Sequence, residues 1–206
     1  MLKKLIDIKK YKSKEMFERF INEATPAMCV TGGFDVTNIY KRKDKHRFNA
    51  MMCYCVAKAA QNMDEFHYSI GSDKKLYYYK NVKTNFASMG KDGVPYWGDV
   101  LYNDSFAEFE KEYEKVREYC HTNCKYYQIE GALISTSAVT NYPFTSFSID
   151  NSDIFWDFFL LWGQYVKEGA KVKLNITLRF HHAIMDMQTA GDFFNELQKQ
   201  FNAFKD

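Results

Sequence analysis

From residue 171 to 180 the chain alternates. Val172, Leu174, Ile176, Leu178 and Phe180 take every second place, with Lys, Asn, Thr and Arg between them. A period of two predicts a strand with one buried and one polar face. Over residues 47–63 the period lengthens: Phe48, Met51, Met52, Cys55, Val56, Ala59 and Met63 recur at helical spacing. The Met-rich stripe of that helix suits core packing. A short helix is predicted over 13–22, with Ser13 as N-cap and Phe17, Phe20 and Ile21 on one face. A long amphipathic helix is predicted over 104–121, with Phe106, Phe109, Tyr113, Val116 and Cys120 along one side. A last helix follows over 187–204, turning Phe193, Phe194, Leu197, Phe201 and Phe204 inward. Further strands are predicted at 27–36, 66–70, 75–80, 83–89, 131–138, 145–149 and 157–165. Gly71-Ser72-Asp73 marks a hairpin turn, and the segment from Gly90 to Gly98 reads as a loop. Hairpins and runs of strands outnumber βαβ units. The fold class is therefore α+β, with a mixed, mainly antiparallel sheet flanked by helices. A single domain over residues 1–206 is expected.

Composition and charge narrow the function. Apolar residues make up 46% of the chain, enough for a substantial core, and 18 Phe and 15 Tyr make it rich in rings. The three prolines, at 26, 95 and 143, outline no linker. Basic and acidic residues nearly balance, 28 against 26, which argues against a nucleic-acid binder with its basic stripe. The one basic cluster, Lys41-Arg42-Lys43 with Lys45 and Arg47, suits a solvated loop or a surface that meets a phosphorylated ligand. The longest apolar cluster, Ile154 to Trp162, is broken by Asp157 and reads as a buried strand. No membrane span and no secretory leader are expected, so the cytoplasm is the expected compartment. The five cysteines are then expected as free thiols. Cys120, His121 and Cys124 do not complete a four-ligand zinc pattern with Cys53 and Cys55, so no metal is expected.

The chemistry concentrates in His181-His182-Ala183-Ile184-Met185-Asp186, where the alternating strand gives way to the last helix. A histidine at such a junction is free of the strand ladder and able to project into a cleft. Imidazole is the side chain whose ordinary pKa lies nearest neutrality, so a fixed general base fits here, with a packed structural histidine as the alternative. Asp186 falls at the start of the following helix, where negative charge is favoured. His46, His67 and His121 show no sequence partners and are assigned no chemistry.

These residues carry a resemblance. The stretch from His181 to Asp186, followed by Asn195-Glu196-Leu197-Gln198, resembles the C-terminal signature of the chloramphenicol acetyltransferases, His-His-Ala-Val-Cys-Asp-Gly and a later Asn-Glu-Leu-Gln. Phe144-Thr145-Ser146-Phe147-Ser148-Ile149 is similar to that family's Phe-Thr-Ser-Phe-Asp-Leu, with Ser137-Ala138 ahead of it at the family's spacing. Ile6-Asp7, Phe34-Asp35-Val36-Thr37 and Asp64-Glu65-Phe66 extend the likeness over nearly the whole chain.

The resemblance implies an acetyl-coenzyme A-dependent O-acetyltransferase of that fold. Acetyl-coenzyme A would be co-substrate and a hydroxyl of chloramphenicol or a related small molecule the acceptor. His182 would be the general base and Ser137 the donor to the oxyanion. Asp186 would shape the catalytic loop through a buried ion pair. Phe20, Phe147 and Ile149 would line the acceptor pocket. The assembly would be a homotrimer, with His182 of one subunit facing the acceptor pocket of the next. Four positions depart from the family: Ser13 stands in place of the arginine that pairs with the aspartate, Met187 in place of a glycine, Leu161 of a threonine and Gln164 of a lysine. Asp186 is then either wetter here or paired with another cation such as Arg19 or Arg179. A positive φ at the glycine position would strain Met187. The departures also fit an enzyme of the same fold with a different acceptor, or an impaired protein that only binds.

Overall fold

Fifteen strands and helices, with two 3₁₀ turns, make up the computed structural model, which describes residues 3–149 and 158–206. In chain order they are β1 (Lys3–Leu5), α1 (Lys14–Phe20), β2 (Ala27–Asp35), α2 (Thr37–Tyr40), α3 (Phe48–Gln61), β3 (Tyr68–Ile70), β4 (Leu76–Tyr79), β5 (Val82–Met89), β6 (Pro95–Leu101), α4 (Phe106–Asn123), β7 (Ala132–Ala138), β8 (Phe158–Trp162), β9 (Val166–Glu168), β10 (Lys171–His181) and α5 (Met187–Ala203). The main sheet runs β2-β10-β8-β7-β5-β6, with β9 folded onto β10. β7 lies parallel to both its neighbours, and every other pairing is antiparallel. A separate three-stranded sheet, β1-β4-β3, is antiparallel throughout.

The core follows from periodicity. Leu174, Ile176, Leu178 and Phe180 of β10 all join it, as the alternation predicts. α3 is buried nearly all round, from Ala50 to Ala57, because it is wedged against β5, α4 and α5. Met51 and Met52 are fully buried there, so the Met stripe is core. Ser105 caps α4 by accepting from the Glu108 amide, and Cys124 ends that helix in the left-handed conformation at φ 52°. All five cysteines are free thiols. A buried ion pair joins β5 to β6: Lys83 Nζ lies 2.6 Å from Asp99, and the same ammonium donates to the Ile129 carbonyl. Its remaining lone pairs and protons are thus partly satisfied, which a buried pair requires. No helix among the described residues is long and apolar enough to cross a membrane.

Two expectations fail. Residues 90–98 are not one loop, since β6 begins at Pro95 and pairs with β5 from Met89↔Pro95 to Lys83↔Leu101. Gly98 sits within that strand because α4 packs onto it. A Cβ there would fall 2.3 Å from Val116 Cγ1. Residues 145–149 form no strand. The Phe144 carbonyl just before them accepts from the Asn175 side chain at 2.7 Å, and Phe144 itself packs over Gly163. The strand expected over 157–165 is β8, Phe158–Trp162; residues 154–157 lie outside the described residues.

Candidate active site

His182 is the first residue beyond β10. Its amide still donates to the Pro26 carbonyl at 2.9 Å, so its backbone remains pinned to the β2 edge while its side chain is released. The ring stacks on Phe20 of α1 at 4.1 Å between centroids and 18° between planes. Its Nδ1 lies 3.1 Å from the Met185 carbonyl. A carbonyl only accepts, so this bond requires the proton on Nδ1 and leaves the lone pair on Nε2. The turn from His181 to Asp186 thereby fixes the tautomer of the histidine, with Nε2 left as its basic nitrogen.

His181 has the opposite arrangement. Its Nδ1 accepts from the Ala183 amide at 3.1 Å, and the ring is buried. Burial, reinforced by the neighbouring charges of Arg179 and His182, pushes its pKa down from the usual 6.5 to about 4. His181 is therefore a neutral structural residue at pH 7. The unfolded chain binds a proton between pH 6.5 and 4 and the folded chain does not, so stability falls as the pH drops through that window. The expected loss is roughly 3 kcal/mol by pH 4. Asn at this position offers an acceptor to the same amide without titrating. His181→Asn is expected to flatten the fall in melting temperature between pH 6.5 and 4, and an unchanged slope would assign the acid sensitivity elsewhere.

Asp186 caps α5. Its carboxylate accepts from the Thr189 amide at 2.7 Å, which, with the charge of His182 a lesser cause, holds its pKa below the ordinary carboxylate range. The carboxylate is exposed and makes no ion pair among the described residues. Of the two alternatives at the lost arginine, the wetter aspartate is the one observed. Arg19 instead lies over the Phe20 ring at 5.3 Å, and Arg179 is buried within β10. Ser13 stands at the N-cap of α1 but its side chain caps nothing. Met187 is free of the feared strain, because Lys74 and Cys124 are the only non-glycine residues with positive φ among those described.

Ser137 occupies different ground. It lies near the end of β7 and lines a cavity of about 1180 Å³. The walls are the ends of β5 and β7, one side of α4 and the loop that leads into α3. Asn49 and Tyr113 stand in it, joined by a 2.9 Å hydrogen bond, and Tyr113 stacks on Phe86. Its rim carries five basic residues, Lys43, Lys45, Arg47, Lys111 and Arg117, against three acidic ones, Asp44, Glu110 and Glu114. The basic cluster around Lys43 is therefore the mouth of a cavity as well as a solvated loop. His46 and His121 also line it, and both have partners that the sequence hides. His46 Nδ1 meets Glu110 at 2.7 Å, and His121 Nδ1 meets the Met89 carbonyl at 2.8 Å. His67 is buried between the carbonyls of Tyr79 and Gln61, remote from either place.

The sheet register sets Ser137 and His182 apart. Ser137 pairs with Leu161, and Leu161 with Thr177, so these three stand in one row across β7, β8 and β10. His182 is five residues beyond Thr177, toward the opposite end of the sheet. Two strand spacings sideways and five residues lengthwise separate them by about 20 Å. Phe20 lies with His182. Phe147 is half-buried with its ring 6.5 Å from that of Phe159, and Ile149 is half-buried two residues on. One chain thus presents His182 at one place and a serine-lined cavity at another.

Comparison with known proteins accords with the fold and the signature. A chloramphenicol acetyltransferase of Clostridium butyricum is 25% identical over 213 residues, covering 98% of this chain and 96% of its own. One from Escherichia coli is 28% identical, covering 94% of this chain and 91% of its own. Among solved structures, a chloramphenicol acetyltransferase superposes with a TM-score of 0.81 at 20% identity, covering 96% of this chain and 98% of its own. A probable dihydrolipoamide acetyltransferase of Listeria monocytogenes shares the fold at a TM-score of 0.69 and 15% identity, covering 97% and 94%. The family described as chloramphenicol acetyltransferase matches residues 1–198, and the chain belongs to that family.

Proposed function

We propose that this acyltransferase moves the acetyl group of acetyl-coenzyme A to a hydroxyl of chloramphenicol or a similar small molecule, in a site shared by two subunits of a homotrimer. The observation that carries the reading is the Nδ1 bond of His182 to the Met185 carbonyl, which leaves Nε2 as the basic atom. That nitrogen takes the proton from the acceptor hydroxyl, and the alkoxide attacks the thioester carbonyl. The Ser137 hydroxyl donates to the oxyanion of the tetrahedral intermediate. Collapse expels the thiolate of coenzyme A, which recovers the proton from the imidazolium. No acyl-enzyme is required when both substrates meet in one site.

The separation of His182 and Ser137 within one chain supports the two-subunit site, in which a neighbour related by rotation supplies the missing half. The net-positive rim of the Ser137 cavity suits the phosphates of coenzyme A. Phe20 stacked on His182 offers one apolar surface to a flat acceptor, and Phe147 and Ile149, half-buried near Phe159, are the further candidates for its walls. Asp186 fixes the turn that carries the base by capping α5.

The test is thiol release from acetyl-coenzyme A by the purified protein, with and without chloramphenicol. Release that depends on chloramphenicol is the expected result. Release that appears only with other hydroxylated acceptors would keep acetyl transfer and discard chloramphenicol. No release with any acceptor would leave the impaired binding protein.

A further inference from the structure

The main sheet forks. β5 and β7 pair in parallel over only three positions, Val82↔Ala132 to Thr84↔Ile134. Beyond that point neither strand ends. β5 stays paired with β6 as far as Met89↔Pro95, and β7 stays paired with β8 as far as Ala138↔Trp162. Their facing edges separate, and the opening between them belongs to the cavity, lined by Phe86, Ala87 and Ser88 on one prong and Thr136, Ser137 and Ala138 on the other. Ser137 therefore sits on a strand whose β5 edge has opened beside it, while its pairing with Leu161 of β8 is kept.

Asn85 occupies the crotch of the fork. Its Oδ1 accepts from the Thr136 amide at 2.9 Å, in the place where a ladder would put a main-chain carbonyl. Its Nδ2 lies 3.5 Å from Ser135 Oγ, at the limit of a hydrogen bond. Its own carbonyl accepts from the Thr136 hydroxyl. Both residues are buried, Asn85 at 8% and Thr136 at 1% exposure, so these bonds are shielded from water. A side-chain amide is longer than a main-chain carbonyl. It spans the gap and satisfies the buried amide without closing the strands together. Alanine would do neither. Aspartate would keep the acceptor for Thr136 and lose the donor toward Ser135.

We propose that Asn85 is a positioning residue, the strut that holds β5 and β7 apart and so fixes the Ser137 hydroxyl where the oxyanion forms. The assignment rests on the reading of Ser137 as oxyanion donor. Asn85 is not among the cavity-lining residues and acts through the amide and hydroxyl of Thr136, the residue before Ser137. Removing it displaces a preorganised donor, and displacements of about 1 Å cost around 10²-fold in rate.

The test is a double-mutant cycle on the full-length protein, reading kcat and KM for both substrates, with thermal melting to establish folding. Asn85→Ala is expected to lower kcat about 10-fold to 10²-fold, leaving the KM of the acceptor unchanged. In a Ser137→Ala background the same change is expected to add less than about twofold, because the donor it positions is already gone. Asn85→Asp, which keeps the Thr136 acceptor, is expected to recover most of the loss, and Asn85→Ser, too short to reach the Thr136 amide, takes the place of alanine in the cycle if the alanine variant does not fold. Multiplicative losses in the double variant would overturn the proposal and leave Asn85 a general stabiliser of the sheet. Normal turnover in Asn85→Ala beside a slow Ser137→Ala would also overturn it, with the role of Ser137 intact. Normal turnover in Ser137→Ala alone would remove the role of Ser137 and the proposal with it.

Discussion

His182→Ala is expected to lower kcat by about 10²–10⁴-fold, the range for removing a positioned general base. KM for both substrates should change only a few-fold, because the loss falls in the transition state and not in ground-state binding. The fold should survive. The half-buried ring is held by one stack on Phe20 and one bond to the Met185 carbonyl, while the backbone at this position is pinned independently to Pro26. Steady-state kinetics and thermal melting on the same preparation separate the two effects. A variant that keeps its melting temperature and retains turnover within about tenfold of the parent would remove His182 from the chemistry. Loss of turnover together with a collapse in melting temperature would instead show that the Phe20 stack is structural.

That reading was partly open to the sequence, and the reasons differ from element to element. β10 was legible because its alternation is unbroken and one of its faces enters the core. α3 was legible for the same kind of reason at another period. β6 was hidden because Gly90, Gly93 and Gly98 look like turn punctuation throughout, yet the turn closes between Gly90 and Val94 and only Gly93 of the three, at φ 80°, takes the left-handed conformation. Gly98 is there for the approach of α4, a tertiary cause that no local pattern carries. Residues 145–149 look like a strand until Asn175, far along the chain, takes the carbonyl that precedes them.

The site divides in the same way. His182 and Asp186 announce themselves by position, at a strand end and a helix start. The cavity does not, because helical spacing shows that Tyr113 faces inward and not that it meets Asn49 and Phe86. The fork between β5 and β7 is equally silent, since parallel neighbours joined through α4 leave no hairpin signal. The family's lost arginine is the clearest case of a question that only coordinates answer. Asp186 without its cation is tolerable here because it is exposed and spends its charge on the amide of Thr189, avoiding the cost of an unpaired buried carboxylate.

The separation of His182 from Ser137 leads to the second large effect. If each active site takes its base from one chain and its oxyanion donor from the next, two dead variants should restore each other. His182→Ala chains keep Ser137, and Ser137→Ala chains keep His182. Expressed apart, the first is expected to be slow by the factor given above and the second by about 10²–10³-fold. Expressed together and purified through two different tags, they assemble at random into rings. In every ring of three that carries both tags, one interface in three joins an intact histidine to an intact serine, so about a third of wild-type activity should return. A site built within one chain predicts no recovery, because every chain in the mixture carries one defect. The register of β7, β8 and β10 excludes that arrangement unless the strands rearrange, since it holds the two residues about 20 Å apart. Activity of the mixture no higher than the mean of its two parents would therefore mean that Ser137 and His182 do not serve one reaction, and the oxyanion donor would have to be sought beside His182 itself.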